Sequence, residues 1–162
     1  MTRLFRRCVA SAALLAASVG ATLALTAPAS AATSSHTTVE NQVSTLINTQ
    51  RTKHGCGALH TDAKLRTVAR AHSAEMVVRN YFGHNSYSGA PFNTRIAPTG
   101  YTRGYAENIA WGQRHAADVV NGWMSSPGHR ANILNCTYNH VGVGLAYKSN
   151  GTPYWTQDFG RS

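Results

Sequence analysis

The chain has 162 residues, with 15 Lys and Arg against 6 Asp and Glu, for a formal net charge of +9. That length suits one domain with its own core, and so few acids leave little for a hydrolase built on paired carboxylates. No run of consecutive basic residues follows position 31, so the excess charge reads first as a solubilising spread over the surface, with an anionic cell-wall polymer or acidic lipid as the alternative partner and no nucleic acid expected.

The chain opens with Arg3, Arg6 and Arg7, then an uncharged stretch rich in Ala, Leu, Val and Ser from Cys8 to Leu25, then Ala29-Ser30-Ala31. This is the pattern of a signal peptide over residues 1–31, cleaved after Ala31. The apolar stretch is weakly hydrophobic and lacks a following positive stop, so no stable membrane anchor is expected and the protein is expected to be secreted, as a monomer. Residues 32–38 are small and polar and read as a flexible N-terminus; residues 39–162 form the domain.

Val39, Val43, Leu46 and Ile47 recur at helical spacing, and Thr37 with Glu40 resembles a capping box. Cys56 and Cys136 remain after cleavage, an even number for an oxidising compartment. They are expected to pair and to close a loop of about 80 residues, the alternative being a free reactive thiol. Asp62 can cap a second helix whose stripe is Leu65, Val68, Ala69, His72 and Met76; on that stripe His72 reads as a hydrogen-bonded core histidine. Residues 85–104 are rich in Gly, Pro, Ser and Asn and read as a long loop with one helical turn near Arg95-Ile96. Tyr105 to Gly112 is a strand or an extended segment. A helix follows over 116–124 and another starts at Pro127 with Ser126 as its N-cap. Val141, Val143, Leu145 and Tyr147 then alternate with small residues, Asn150-Gly151 is a turn, and 154–159 alternate again, which is a β-hairpin. Helices preceding strands give an α+β class: a small antiparallel sheet covered by helices.

The chain has no H-E-x-x-H, G-x-S-x-G, Walker loop or C-x-x-C. It does carry four ordered polar words: Tyr81-Phe82-Gly83-His84, Ala106-Glu107-Asn108-Ile109-Ala110, Trp123 to Leu134 around Pro127-Gly128-His129-Arg130, and Tyr154-Trp155-Thr156-Gln157-Asp158-Phe159-Gly160. They resemble the CAP superfamily, or SCP domain, of cysteine-rich secretory proteins, venom antigen 5 and plant pathogenesis-related proteins. The likeness is greatest to the short bacterial secreted branch and covers Val39 to Gly160.

The resemblance implies an α-β-α sandwich, with a three-stranded antiparallel sheet between helical layers. It also implies a cavity lined by two His and two acidic residues, sometimes holding a divalent metal. His84 matches the first His and Glu107 the first acid. His129 is the nearest replacement for the second His, ahead of His140. Where the second acid would stand the chain has Ser125-Ser126, so a carboxylate is missing. His84, Glu107 and His129 are thus the catalytic or metal candidates, for Zn or for Ca or Mg; Asn108 and Gln157 join them as ligand-binding candidates. Two imidazoles and one carboxylate suit a divalent ion or a general acid–base set, and equally a polar network that fastens the long loop to the sheet. Trp123 and Trp155 read as core and Trp111 is open. The expected function is a secreted binding or effector module for a lipid or sterol, a wall glycan or a divalent ion. The alternative is a metal-assisted or acid/base extracellular hydrolase acting on peptide or cell-wall material.

Overall fold

The computed structural model describes residues 29–101 and 105–161, and of residues 29–34 only the backbone. The expected signal peptide lies outside the described residues as far as position 28. No Gly or Pro interrupts the chain between Ala29 and Lys53, and that whole stretch is helix α1. Residues 32–38, expected to be flexible, are therefore helical. Glu40, expected in a capping box, sits inside the helix with its side chain fully buried. Arg70 Nε and Nη2 donate to its two oxygens at 2.9 and 2.6 Å, and the Leu145 N–H donates to Oε1 at 3.2 Å.

After β1 (His60–Thr61) comes α2 (Ala63–Arg79), where Asp62 is the N-cap and its carboxylate accepts from Leu65 N–H at 2.8 Å. Asn80 closes α2 in the left-handed region at φ 53°, a conformation Asn tolerates better than most residues. A short helix, α3 (Asn93–Ile96), and a 3-10 turn (Ala97–Thr99) break the long loop. Strand β2 (Tyr105–Trp111) precedes α4 (Ala116–Ser125) and α5 (Pro127–Ile133). Ser126 does stand at the N-cap of α5, but its hydroxyl makes no cap bond. The hairpin β3 (His140–Tyr147) and β4 (Pro153–Gly160) ends the chain.

The sheet has four strands, in the order β1-β3-β4-β2, where three were expected. The extra strand pairs parallel to β3, His60 opposite His140. Two residues are too few to show a period, which is why β1 escapes a sequence reading. The alternation within β3 decides what covers each face. Val141, Val143 and Leu145 pack with Val43 and Ile47 of α1 and Val119, Val120 and Trp123 of α4. Gly142 and Gly144 face α2 so closely that a Cβ on either would collide with backbone at Leu65–Arg66 or Ala69–Arg70. A helix thus lies against each face of the sheet.

Cys56 and Cys136 form the expected disulfide, 80 residues apart in sequence. Beside it the buried Arg51 donates to the carbonyls of Gly57, Ile133, Asn135 and Tyr138 at 2.7–2.9 Å. This one side chain gathers α1, the Cys56 loop and the end of α5.

Candidate functional site

Strand β2 is the sheet edge opposite β1, and its alternation splits the polar words between two faces. On the α2 face, Glu107 and Asp158 are register partners across β2 and β4, and both are buried. His84 Nδ1–H donates to Glu107 Oε1 at 2.9 Å. Arg95 Nη2 donates to Glu107 Oε2 at 2.6 Å and to the His84 carbonyl at 2.8 Å. His72 Nε2–H donates to Gly83 O at 2.9 Å and lies 4.0 Å from Glu107 Oε1. His72 is the core histidine expected, and burial lowers its pKa. Its contact partners also put it directly behind the His84 word.

Asp158 sets a second carboxyl beside Glu107, fully buried and outside the cleft lining. No donor of the described residues reaches either of its oxygens, and Glu107 stands beside it to accept its proton. Burial first, and then the negative charge of Glu107, holds its carboxyl protonated well above the ordinary Asp range.

On the other face, Asn108 and Gln157 are register partners and fully buried. Asn108 Nδ2 donates to Gln157 Oε1 at 3.0 Å and to the His129 carbonyl at 3.2 Å, while Asn132 Nδ2 donates to Asn108 Oδ1 at 2.9 Å. Both ligand candidates are therefore buried behind the wall, where Asn108 holds the backbone of α5 and Gln157 Nε2 has no partner among the described residues.

The two faces meet in a cleft of about 460 Å³ that straddles the sheet edge, and both His84 and His129 line it. His129 is held below the ordinary His pKa by burial and by the charge of His84. The His84 side chain is 48% exposed, and Nδ1 is engaged by Glu107, so Nε2 is the nitrogen turned to the cleft's contents. Phe82 and Trp111, at 46% and 55% exposure, form the outer wall, with ring centroids 6.4 Å apart. Trp123 and Trp155 are core residues as expected; Trp123 Nε1–H donates to Ile109 O and Trp155 Nε1–H to Gln113 O.

The cysteine-rich secretory protein family (CAP) matches residues 45–159. The chain belongs to the CAP family. Protein YkwD of Bacillus subtilis is 41% identical over 140 residues, 86% of this chain and 53% of YkwD. The membrane protein YlbC of the same organism is 38% identical over 124 residues, 76% of this chain and 34% of YlbC. The chain thus spans about half or less of the length of these relatives. An extracellular SCP-domain protein of Bacillus anthracis superposes with a TM-score of 0.71 at 30% identity, over 78% of this chain and 41% of that one. An outer surface protein of Borrelia burgdorferi shares the fold, with a TM-score of 0.69 at 21% identity, over 75% of this chain and 90% of that one. Among the described residues no helix is long and apolar enough to cross a membrane.

The metal that the CAP resemblance implies does not suit this donor set. The Glu107 carboxylate is already matched by the Arg95 guanidinium and by His84 Nδ1–H, and a second cation there would meet Arg95. Among the described residues no three His, Cys, Asp or Glu are placed to hold an ion. His140 is remote from the cleft, its ring against Tyr101 and His60. Arg95 and, behind the site, Asp158 are the partners of Glu107 that a sequence reading misses. Asp158 would need the β2–β4 register to betray it. Arg95 sits in a loop whose path no periodicity reports.

Proposed function

We propose that this CAP protein acts outside the cytoplasm as a binding module, and that its ligand sits in the cleft between His84 and His129. The observation that carries the reading is one cleft wall combining exposed aromatic faces, Phe82 and Trp111, with a polar imidazole fixed from behind by Glu107 and Arg95. Such a wall takes an organic ligand with both an apolar face and hydrogen-bonding groups, such as a sugar or a lipid headgroup, over a bare ion. The disulfide, and relatives described as extracellular and outer surface proteins, support the location.

Titration of tryptophan fluorescence with soluble glycan and lipid probes tests the reading. His84→Ala and Trp111→Ala are expected to weaken binding about tenfold or more, Trp111→Ala at unchanged melting temperature. Wild-type affinity in both variants would reject the cleft. An acid/base hydrolase is the second reading, favoured by the His84–Glu107 pair, since a carboxylate on Nδ1 leaves Nε2 as a base. It requires a hydrolytic activity that Glu107→Gln abolishes.

A further inference from the structure

The described residues that line the cleft include no Asp, Glu, Lys or Arg. Glu107 and Arg95 stand behind its wall, their side chains 1% and 13% exposed, and are bonded to each other. A charged group on a ligand would therefore give up its water in the cleft and find no counter-charge there. A sterol or acyl chain needs continuous apolar walls, whereas His84, Gln113, Ser126 and His129 interrupt them.

The hydrogen-bonding sense of the cleft is set from behind. A carboxylate offers only lone pairs, and a guanidinium only N–H groups. Glu107 Oε2 accepts from Arg95 at 2.6 Å, and Oε1 accepts from His84 Nδ1–H at 2.9 Å. With its proton on Nδ1, a neutral imidazole presents a lone pair at Nε2. A carboxylate or phosphate brings only lone pairs of its own to that atom, whereas a hydroxyl donates to it. Ser126, whose side chain makes no cap bond, lines the same cleft and can give or take a hydrogen bond. Phe82 and Trp111 offer exposed ring faces to the C–H side of a sugar.

Resting on the cleft reading above, we propose that the cleft selects an uncharged glycan over anionic ligands, and that Glu107 is the positioning residue that sets this choice by holding the His84 proton on Nδ1. The choice is made by what the wall refuses as much as by what it holds.

The experiment uses the disulfide-intact protein at about pH 7.5, above the ordinary His value of about 6.5, in about 0.3 M salt to screen the chain's excess positive charge. Proton–nitrogen correlation NMR reads which His84 nitrogen carries the proton. Calorimetric titration compares hexagalacturonate, its neutral methyl ester, neutral chitohexaose and the anionic lipid dihexanoylphosphatidylglycerol. His84 is expected in the Nδ1–H form, and the ester should bind at least about tenfold more tightly than the acid. Trp111→Ala should weaken the neutral sugars about tenfold. In Glu107→Gln the amide oxygen stays with Arg95, so the amide N–H groups turn to His84 Nδ1 and the ring proton moves to Nε2. The acid should then bind about tenfold more tightly than it binds wild type, a gain that structural damage does not produce. An Nε2–H form in wild type would overturn the proposal, as would a folded Glu107→Gln protein with the wild-type ratio of ester to acid affinity. If that variant does not fold, the wild-type tautomer and ratio decide. Hexagalacturonate or the lipid binding as tightly as the ester, and weakened by Trp111→Ala, would overturn the uncharged glycan while leaving the cleft reading intact. Failure of all four probes to bind would overturn the proposal and count against the cleft reading.

Discussion

Glu107 and Asp158 face each other across β2 and β4, both buried, and the Arg95 guanidinium is bonded to Glu107 alone. Two carboxylates so placed cannot both stay charged cheaply in a low-dielectric interior, so one keeps its proton. Arg95 and the His84 ring are committed to Glu107, which leaves Asp158 as the neutral partner.

That assignment has a sign in stability. A carboxyl whose folded pKa is raised binds its proton more tightly in the folded state. Its contribution is complete below the ordinary Asp value, about 3.9, and is lost as pH rises towards the folded value. Asp158→Asn replaces a neutral acid with a neutral amide and removes that slope. Urea unfolding from about pH 4.5 to 7.5 should show wild type losing at least about 1 kcal/mol more than Asp158→Asn across the interval. Parallel slopes would mean that Asp158 is ionised.

Arg51 gives the most direct test of what holds the disulfide end together. Its guanidinium satisfies four carbonyls from three segments. A lysine ammonium at one point cannot reach them all, and each abandoned buried carbonyl costs about 1–3 kcal/mol. Arg51→Lys should lose about 3 kcal/mol and melt about 8 °C lower or more. A melting point within about 2 °C of wild type would mean that water takes over those carbonyls.

Gly144 tests the spacing between α2 and the sheet. A Cβ there would strike the backbone of Ala69 and Arg70, not a flexible side chain. Ser73 Oγ–H also donates to the Gly144 carbonyl at 3.2 Å and to Thr156 Oγ1 at 2.9 Å, in the same seam. Gly144→Ala should cost about 3 kcal/mol, the upper range for overpacking, measured by urea unfolding. Gly151→Ala, at φ 80° in the hairpin turn with open space around it, should cost about 1 kcal/mol through backbone strain alone. If the two variants cost the same, α2 does not lie against β3 as described.

Local chemistry was legible in the sequence and long-range register was not. Asp62, the stripe from Leu65 to Met76, Pro127 and the β3–β4 alternation each announce themselves within one element, and each stands where its pattern puts it. Glu40 misleads because a capping box and a mid-helix acid look alike until the chain is seen to be helical already at Ala29. His84 and Glu107 were readable only through family resemblance, since 23 residues separate them. The place of Asn108 and Gln157 behind the wall depends on which face of an edge strand each occupies. β2 is too mixed in composition to declare its faces.

The two cleft histidines can be tested against each other. Burial lowers the His129 pKa, and the charge of His84 lowers it further. A depressed imidazole is neutral in the folded state over a range where the unfolded chain is protonated. Its stability contribution is therefore present above the ordinary His value, about 6.5, and is lost as pH falls through that value towards the folded one. His72, buried and also depressed, acts with the same sign. Stability should thus fall on acidification below about pH 6.5. Proton NMR titration of the imidazole Cε1–H resonances separates the contributions. His129 should titrate below the ordinary value in wild type and move upward in His84→Asn, which removes the neighbouring charge with little loss of bulk. His72 keeps its burial, so its titration should hardly move. An unmoved His129 would mean that the two rings do not share the cleft, and the binding wall assigned to them would have to be rebuilt around Trp111 and Phe82 alone.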